Sequence, residues 1–299
     1  MINKTLAPPT ERVIEEERLT PARGTLWRRL RKSPSAMLGL GIVLVFMGVG
    51  LLADWIAPYD PLRPDFGRAR EGPSWDSPLG RDELGRDILS RIIHGARISL
   101  WIGFIAVAIG VVLGVPLGAI SGYYGRLDIF VQRVVDIMLA FPGLLLAIVL
   151  ISILGVGLSN VMVAVGVASI PTYARLVRGS VLSLREMDYV AAAKALGMSD
   201  GRIIFRHILP NCLAPIIVQS TLQVATAILF AAGLGYLGLG AKPPMPEWGV
   251  MLSTGRDYLR DWPHIATFPG LAIMLSVLGF NLLGDGLRDV LDPRLRGKL

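Results

Sequence analysis

Gly233, Gly235 and Gly238 follow the G-x-G-x-x-G spacing of a dinucleotide-binding turn, and Asp257 lies about 20 residues on, where an acidic ribose ligand would sit. That chemistry needs a strand ahead of the glycines and a helix after them, so that the backbone can approach a pyrophosphate. Here the preceding element is a long apolar run, and the glycines read as the exit from a membrane helix. His94, His207 and His264 are scattered, no pair has metal-ligand spacing, and there is no G-x-S-x-G elbow or Cys/His pair. The G-x-x-x-x-G-K-[ST] loop that would bind ATP is missing as well. Cys212 is the single cysteine, so no internal disulfide can form. The chain is expected to be no enzyme, with no catalytic residue, metal site or cofactor of its own.

The elements that hold these residues answer to a bilayer. Hydrophobic residues make up 53% of the chain and charged ones 18%, too apolar for a soluble protein of this length. Runs long enough to cross about 30 Å of hydrocarbon occupy 36–57, 98–122, 129–154, 160–177, 212–237 and 265–287. The expected fold class is therefore all-α, a polytopic membrane protein with six transmembrane helices. Residues 1–35 form an N-terminal segment, and 36–299 the transmembrane domain. That domain has outer loops at 58–97 and 238–264 and an inner loop at 178–211. Pro142 must bend or loosen the third run, and Pro171 with Thr172 interrupts the fourth. The first run is too long for a signal peptide and lacks a small-residue cleavage site, so it reads as an uncleaved anchor. Ser33 and Pro34 fit its N-cap and first turn. ARGTLWRRLRKS before it and GRDILSRIIHGAR before the second run read as interfacial amphipathic helices.

The net charge of +7 reads as topology rather than as nucleic-acid binding. Arg and Lys crowd three regions: 23–32, 175–206 and 288–298. Six spans place all three, and both termini, in the cytoplasm. The first outer loop strains this rule with Arg63, Arg68, Arg70, Arg81, Arg86, Arg91 and Arg97, which a similar number of carboxylates accompany. Within the spans, Gly103, Gly110, Gly114 and Gly118 recur near one face and read as a packing stripe. Gln219, Gln223 and Thr226, one turn apart in sequence, and Asn281 are candidates for lining a pathway or for bonding between helices. Arg133 and Asp136 are spaced to pair with each other.

The inner loop has more structure than a connection needs. Residues 189–196 are Ala-rich and helix-prone, Gly197 can end that helix, and Ser199 can cap a second one running to Ile208 before Pro210 stops it. Such a projection reads as a docking surface, with Ala192, Ala193 and Leu196 supplying apolar contact.

AAAKALG…HILPN resembles the cytoplasmic EAA loop of ABC-importer permeases at Ala192, Ala193, Gly197, Leu209 and Pro210. Ala191 replaces the motif glutamate, and His207 occupies a position usually apolar. APYDP at 57–61, SPLGRDELGRDILSRIIHGARISL at 77–100, PEWG at 246–249 and FNLLGDGLRDVLDPRL at 280–295 are similar to the C-type permease of dipeptide and oligopeptide importers. Arg81 stands where such sequences usually carry threonine. The resemblance implies a type I ABC-importer permease fold in a prokaryotic inner membrane. It also implies a sister permease, two cytoplasmic ATPases that bind ATP and magnesium, and an external peptide-binding protein. Relatives of this subunit type are associated with nickel chelates or glutathione as well as peptides. A self-contained channel or secondary carrier would instead display inverted repeats or intramembrane ionisable residues, and no convincing repeat is found.

Overall fold

The computed structural model describes residue 28 and residues 30–291. The sequence motifs and basic residues at 1–27 and 292–299, including most of the interfacial ARGTLWRRLRKS helix and the Arg294–Lys298 tail, lie outside the described residues. Helix α1 is Pro34–Leu51, and it starts as a capped membrane helix should: the Ser33 hydroxyl accepts the Ala36 N–H, with Pro34 in the first turn. A single turn, α2 (Ala53–Ile56), leads into an irregular segment. Helix α3 follows at Ile88–Tyr123. Beyond it come α4 (Gly125–Leu139), α5 (Gly143–Leu154) and α6 (Leu158–Leu184). The inner loop carries α7 (Asp188–Ala195) and α8 (Asp200–Ile203), and α9 is Leu209–Tyr236. An outer helix, α10 (Trp248–Gly255), precedes the last one, α11 (His264–Leu291). Among the described residues there are no strands beyond an isolated bridge between Arg81 and Asp87.

Five helices are long and apolar enough to span a membrane, or six if the pair α4 and α5 counts as one broken span. That pair is the third run expected at 129–154, and the bend expected at Pro142 is a full break: its axes diverge by 92°. Pro142 lacks an N–H and sits between the two helices, which is why the break falls there. The fourth span corrects the opposite way. Pro171 lies inside an unbroken α6, because the tight packing of α6 on α3 holds the helix across the missing bond. The second span begins at Ile88 rather than at 98, so the first outer loop ends at Asp87. Its carboxylate accepts the Ser90 N–H at 2.8 Å as an N-cap. GRDILSRIIHGAR is accordingly the first turns of a span and not an interfacial helix.

Lipid tails are as apolar as leucine, so these helices gain cohesion from close fit rather than from the hydrophobic effect. Gly114 shows how close the fit is: a Cβ there would stand 2.7 Å from both the Ile170 carbonyl oxygen and the Tyr173 Cβ of α6. Gly110 and Gly118 face the same helix, whereas Gly103 faces Val224 and Ile228 of α9. At the outer end, Glu247 accepts the N–H groups of Gly249 and Val250, each at 2.9 Å, and starts α10. Trp248 is fully buried and donates its indole N–H to the Ile92 carbonyl at 3.1 Å. Gly233, Gly235 and Gly238 close α9, where Gly238 takes φ +77° and the Leu239 N–H returns to the Leu234 carbonyl.

Candidate coupling loop and pathway

The inner connection begins at Arg185, since α6 runs through the 178–184 part of the loop expected at 178–211. Helix α7 forms from its alanines and ends in a Schellman turn: the Gly197 N–H reaches the Lys194 carbonyl, and the Met198 N–H the Ala193 carbonyl. Gly197 takes φ +73°, a conformation that glycine adopts without strain. Ser199 has the extended backbone of an N-cap, but its side chain makes no capping bond. Pro210 does not stop the second helix. The backbone passes through a π-helical turn, Ile204–Ile208, straight into α9, so Asp200–Tyr236 is one continuous helix. The wider turn provides room that a tight α-turn would deny the proline ring.

Which residues point outward differs from the sequence expectation at Ala193. Val190 and Ala193 turn inward and pack with Ile203, Ile208 and Cys212. Ala191 and Ala192 are exposed, and Leu196 is 83% exposed. Phe205, which the motif comparison passed over, is 74% exposed. A lone phenylalanine among arginines, placed off the face made by Ile203 and Ile208, is the signal that could have marked it. Leu209 is half-buried against the inner cluster, and Pro210 is exposed. His207 is half-buried; its carbonyl accepts from Asn211 at 2.6 Å and its Nε2 has no partner.

The pathway candidates separate by environment. Thr226 donates its hydroxyl to the Leu222 carbonyl of its own helix at 3.3 Å. Gln223 is buried, Gln219 half-buried and Asn281 exposed; among the described residues none of these three amides makes a side-chain hydrogen bond. Arg133 and Asp136 do not pair with each other. Asp136 binds Arg175 of α6 at 2.8 Å, because α4 lies along α6 and offers Asp136 a partner across the gap.

The segment 58–87 is a charged cap built around Asp82. Asp82 Oδ2 accepts from Arg86 Nε at 2.6 Å and lies 3.3 Å from Arg91 Nε, while Oδ1 accepts the N–H groups of Leu84 and Arg86. Arg86 also binds Glu83 at 2.7 Å. Burial, reinforced by the neighbouring Asp82, pushes the Glu83 carboxyl above its ordinary range. Burial raises Glu247 likewise, against the pull of its two N–H donors. Arg81 is buried and donates to the Ser77 hydroxyl at 3.1 Å and to the Gly85 carbonyl at 2.9 Å. Arg97 binds Asp54 at 2.9 Å, and Arg70 stacks 4.6 Å over the Trp262 ring. These arginines are committed to the cap, each held by a carboxylate, a carbonyl or an aromatic ring.

The arrangement of spans around a short helical inner loop defines a class: a type I ABC-importer permease. It has the fold of the methionine ABC transporter MetNI in inward-facing conformations, with a TM-score of 0.56 at 21% identity over 68% of this chain and 97% of that one. Residues 110–297 match the binding-protein-dependent transport system inner membrane component family, and residues 23–73 match the N-terminal TM domain of oligopeptide transport permease C. The chain is 50% identical over 271 residues to the dipeptide transport system permease protein DppC of Alkalihalophilus pseudofirmus, covering 90% of this chain and 89% of that one. It is 47% identical over 287 residues to the glutathione transport system permease protein GsiD of Pectobacterium atrosepticum, covering 95% of each. The chain belongs to the binding-protein-dependent transport system inner membrane component family. It is a multi-pass inner-membrane permease subunit of an ABC importer, whose ATPase and substrate-binding partners are separate subunits.

Proposed function

We propose that this permease imports short peptides, pairing with a sister permease to enclose one pathway. The observation that supports the cargo most directly is the 50% identity to a dipeptide permease over nine-tenths of the chain. Glutathione, named for the other close relatives, is itself a short peptide with free carboxylates and an amine, so the two names share one chemistry. Gln219, Gln223 and Asn281 would line the pathway, offering amide donors and acceptors that the helices leave unused. ATP and magnesium would be held by two partner ATPases, one seated on Ala192, Leu196 and Phe205 of this chain and the other on the sister permease. Deleting the gene is expected to abolish uptake of a labelled dipeptide and to leave nickel-dependent growth intact. Glutathione competing with the dipeptide in the parent strain would extend the cargo to that tripeptide. Intact dipeptide uptake in the deletion strain would sink the reading.

The proposal places both termini and the 185–211 loop in the cytoplasm, as the basic residues around that loop require. A cysteine at Ser74, beside the fully exposed Trp75, is expected to react with an impermeant thiol reagent on intact cells. A cysteine at the exposed Ser199 is expected to react only after lysis. The reverse labelling would invert the topology.

A further inference from the structure

Beside the inner loop, the ends of α3, α4 and α6 are joined by polar contacts that close packing alone does not require. Asp128 of α4 takes both prongs of the Arg178 guanidinium of α6, each at 2.6 Å. It also accepts the hydroxyl of Ser121, buried in α3, at 2.5 Å, and Gln132 donates to that same hydroxyl at 3.0 Å. On the loop side, the Tyr123 hydroxyl donates to Asp200 at 2.7 Å, and the Lys194 ammonium lies 5.2 Å from the Tyr123 ring centroid. Arg185, where α6 gives way to the loop, donates to the Gly122 carbonyl at 3.0 Å. Ser121, Gly122 and Tyr123 are consecutive. The last turn of α3 is therefore gripped by the loop on one side and by Asp128 on the other.

Helix α4 leads from this grip to the 92° break before α5, where Pro142 has removed a backbone bond. We infer that Asp128 and Arg178 are positioning residues of the import cycle, transmitting displacement of the inner loop to the α4 arm, which turns against α5 at the break. A two-pronged guanidinium–carboxylate pair fixes orientation as well as distance, so it carries a rotation that one hydrogen bond would not. The pair is partly withdrawn from solvent, with 30% of the Arg178 and 20% of the Asp128 side chain exposed, and is less screened than a surface pair.

The inference rests on the reading of the 185–211 loop as the ATPase contact. The test uses the whole importer in vesicles, with its ATPases, sister permease and binding protein, and measures peptide uptake and ATP hydrolysis separately. Asp128→Asn and Arg178→Gln are expected to keep membrane abundance and bound ATPases while lowering peptide imported per ATP at least tenfold. Arg178→Lys, which keeps the charge and loses the fork, should fall between. An unchanged ratio, with or without fewer copies in the membrane, would reduce the pair to a structural tie and overturn the inference. If Leu196→Asp and Phe205→Asp both leave the ATPases bound, the loop reading fails and takes transmission from that loop with it, even where Asp128→Asn still lowers the ratio. If Leu196→Asp releases them and the Asp128→Asn ratio holds, the positioning role alone fails.

Discussion

Leu196→Asp is expected to release the ATPase subunits from an importer whose spans remain inserted. Leu196 is 83% exposed on the inner loop and makes no part of the chain's own core clusters, so the substitution costs the permease little by itself. A carboxylate in the partner's groove, by contrast, would lose its water without gaining a partner. Losing a contact at the centre of such an interface costs about 2–4 kcal/mol, which weakens binding roughly 30- to 1000-fold. Phe205→Asp is expected to act the same way from the neighbouring π-turn. Ala193→Asp fails differently: its side chain faces Val190, Ile203 and Cys212, so a charge there is buried in the permease and the chain itself is lost from the membrane. Co-purification of the ATPases, read against permease abundance in the membrane, separates the two outcomes. Full ATPase retention in both Leu196→Asp and Phe205→Asp would show that docking lies elsewhere.

Asp82→Ala is the substitution expected to damage the outer cap most. It removes the carboxylate that Arg86 and Arg91 share, leaving Arg86 with Glu83 alone and Arg91 with only the Pro61 and Pro244 carbonyls, and it takes the acceptor from the Leu84 and Arg86 N–H groups. Only 5% of the Asp82 side chain and 4% of that of Arg86 reach solvent. Removing one partner from a buried pair costs about 3–5 kcal/mol, chiefly because the remaining charge has nowhere to go. The purified protein should melt at a lower temperature, and protease added outside the cell should cut within 58–87. Asp82→Asn retains an acceptor oxygen for the two N–H groups and should fall between wild type and Ala. An unchanged melting temperature in Asp82→Ala would refute this account of the cap.

What the sequence revealed followed which forces act locally. Apolar run length marked each membrane crossing, because the bilayer imposes it segment by segment. The Ser33–Pro34 start of α1 and the Gly197 end of α7 were legible for the same reason. Three prolines shared a residue type but not an outcome. Pro142 broke a span, as its missing N–H led one to expect, whereas Pro171 passed through one and Pro210 was absorbed by a π-turn, outcomes that the residue type alone does not distinguish. The inward turn of Ala193 was hidden too, because alanine on a short helix carries no mark of which side its neighbours occupy. Arg175 took Asp136 from Arg133 across a gap of many residues, which spacing along one helix could not forecast. The loop motif and its Leu196 were therefore legible in the sequence, while the inward turn of Ala193 and the exposed Phe205 needed the fold.

The contact between α1 and α11 bears on how the protein is made. Gly39 brings α1 so near α11 that a Cβ there would stand 2.5 Å from the Leu283 nitrogen, and Gly279 and Gly286 admit Ile42 and Ala36 from the other side. Helix α1, which leaves the ribosome well before α11, is thus shaped to fit it. At roughly 5–20 residues per second, translation from one to the other takes on the order of ten seconds or more. Throughout that interval the notch at Gly39 has no α11 backbone to meet it. A chain cut short before α11 leaves that notch unmatched, so the fit of α1 is completed only when the last helix is in place.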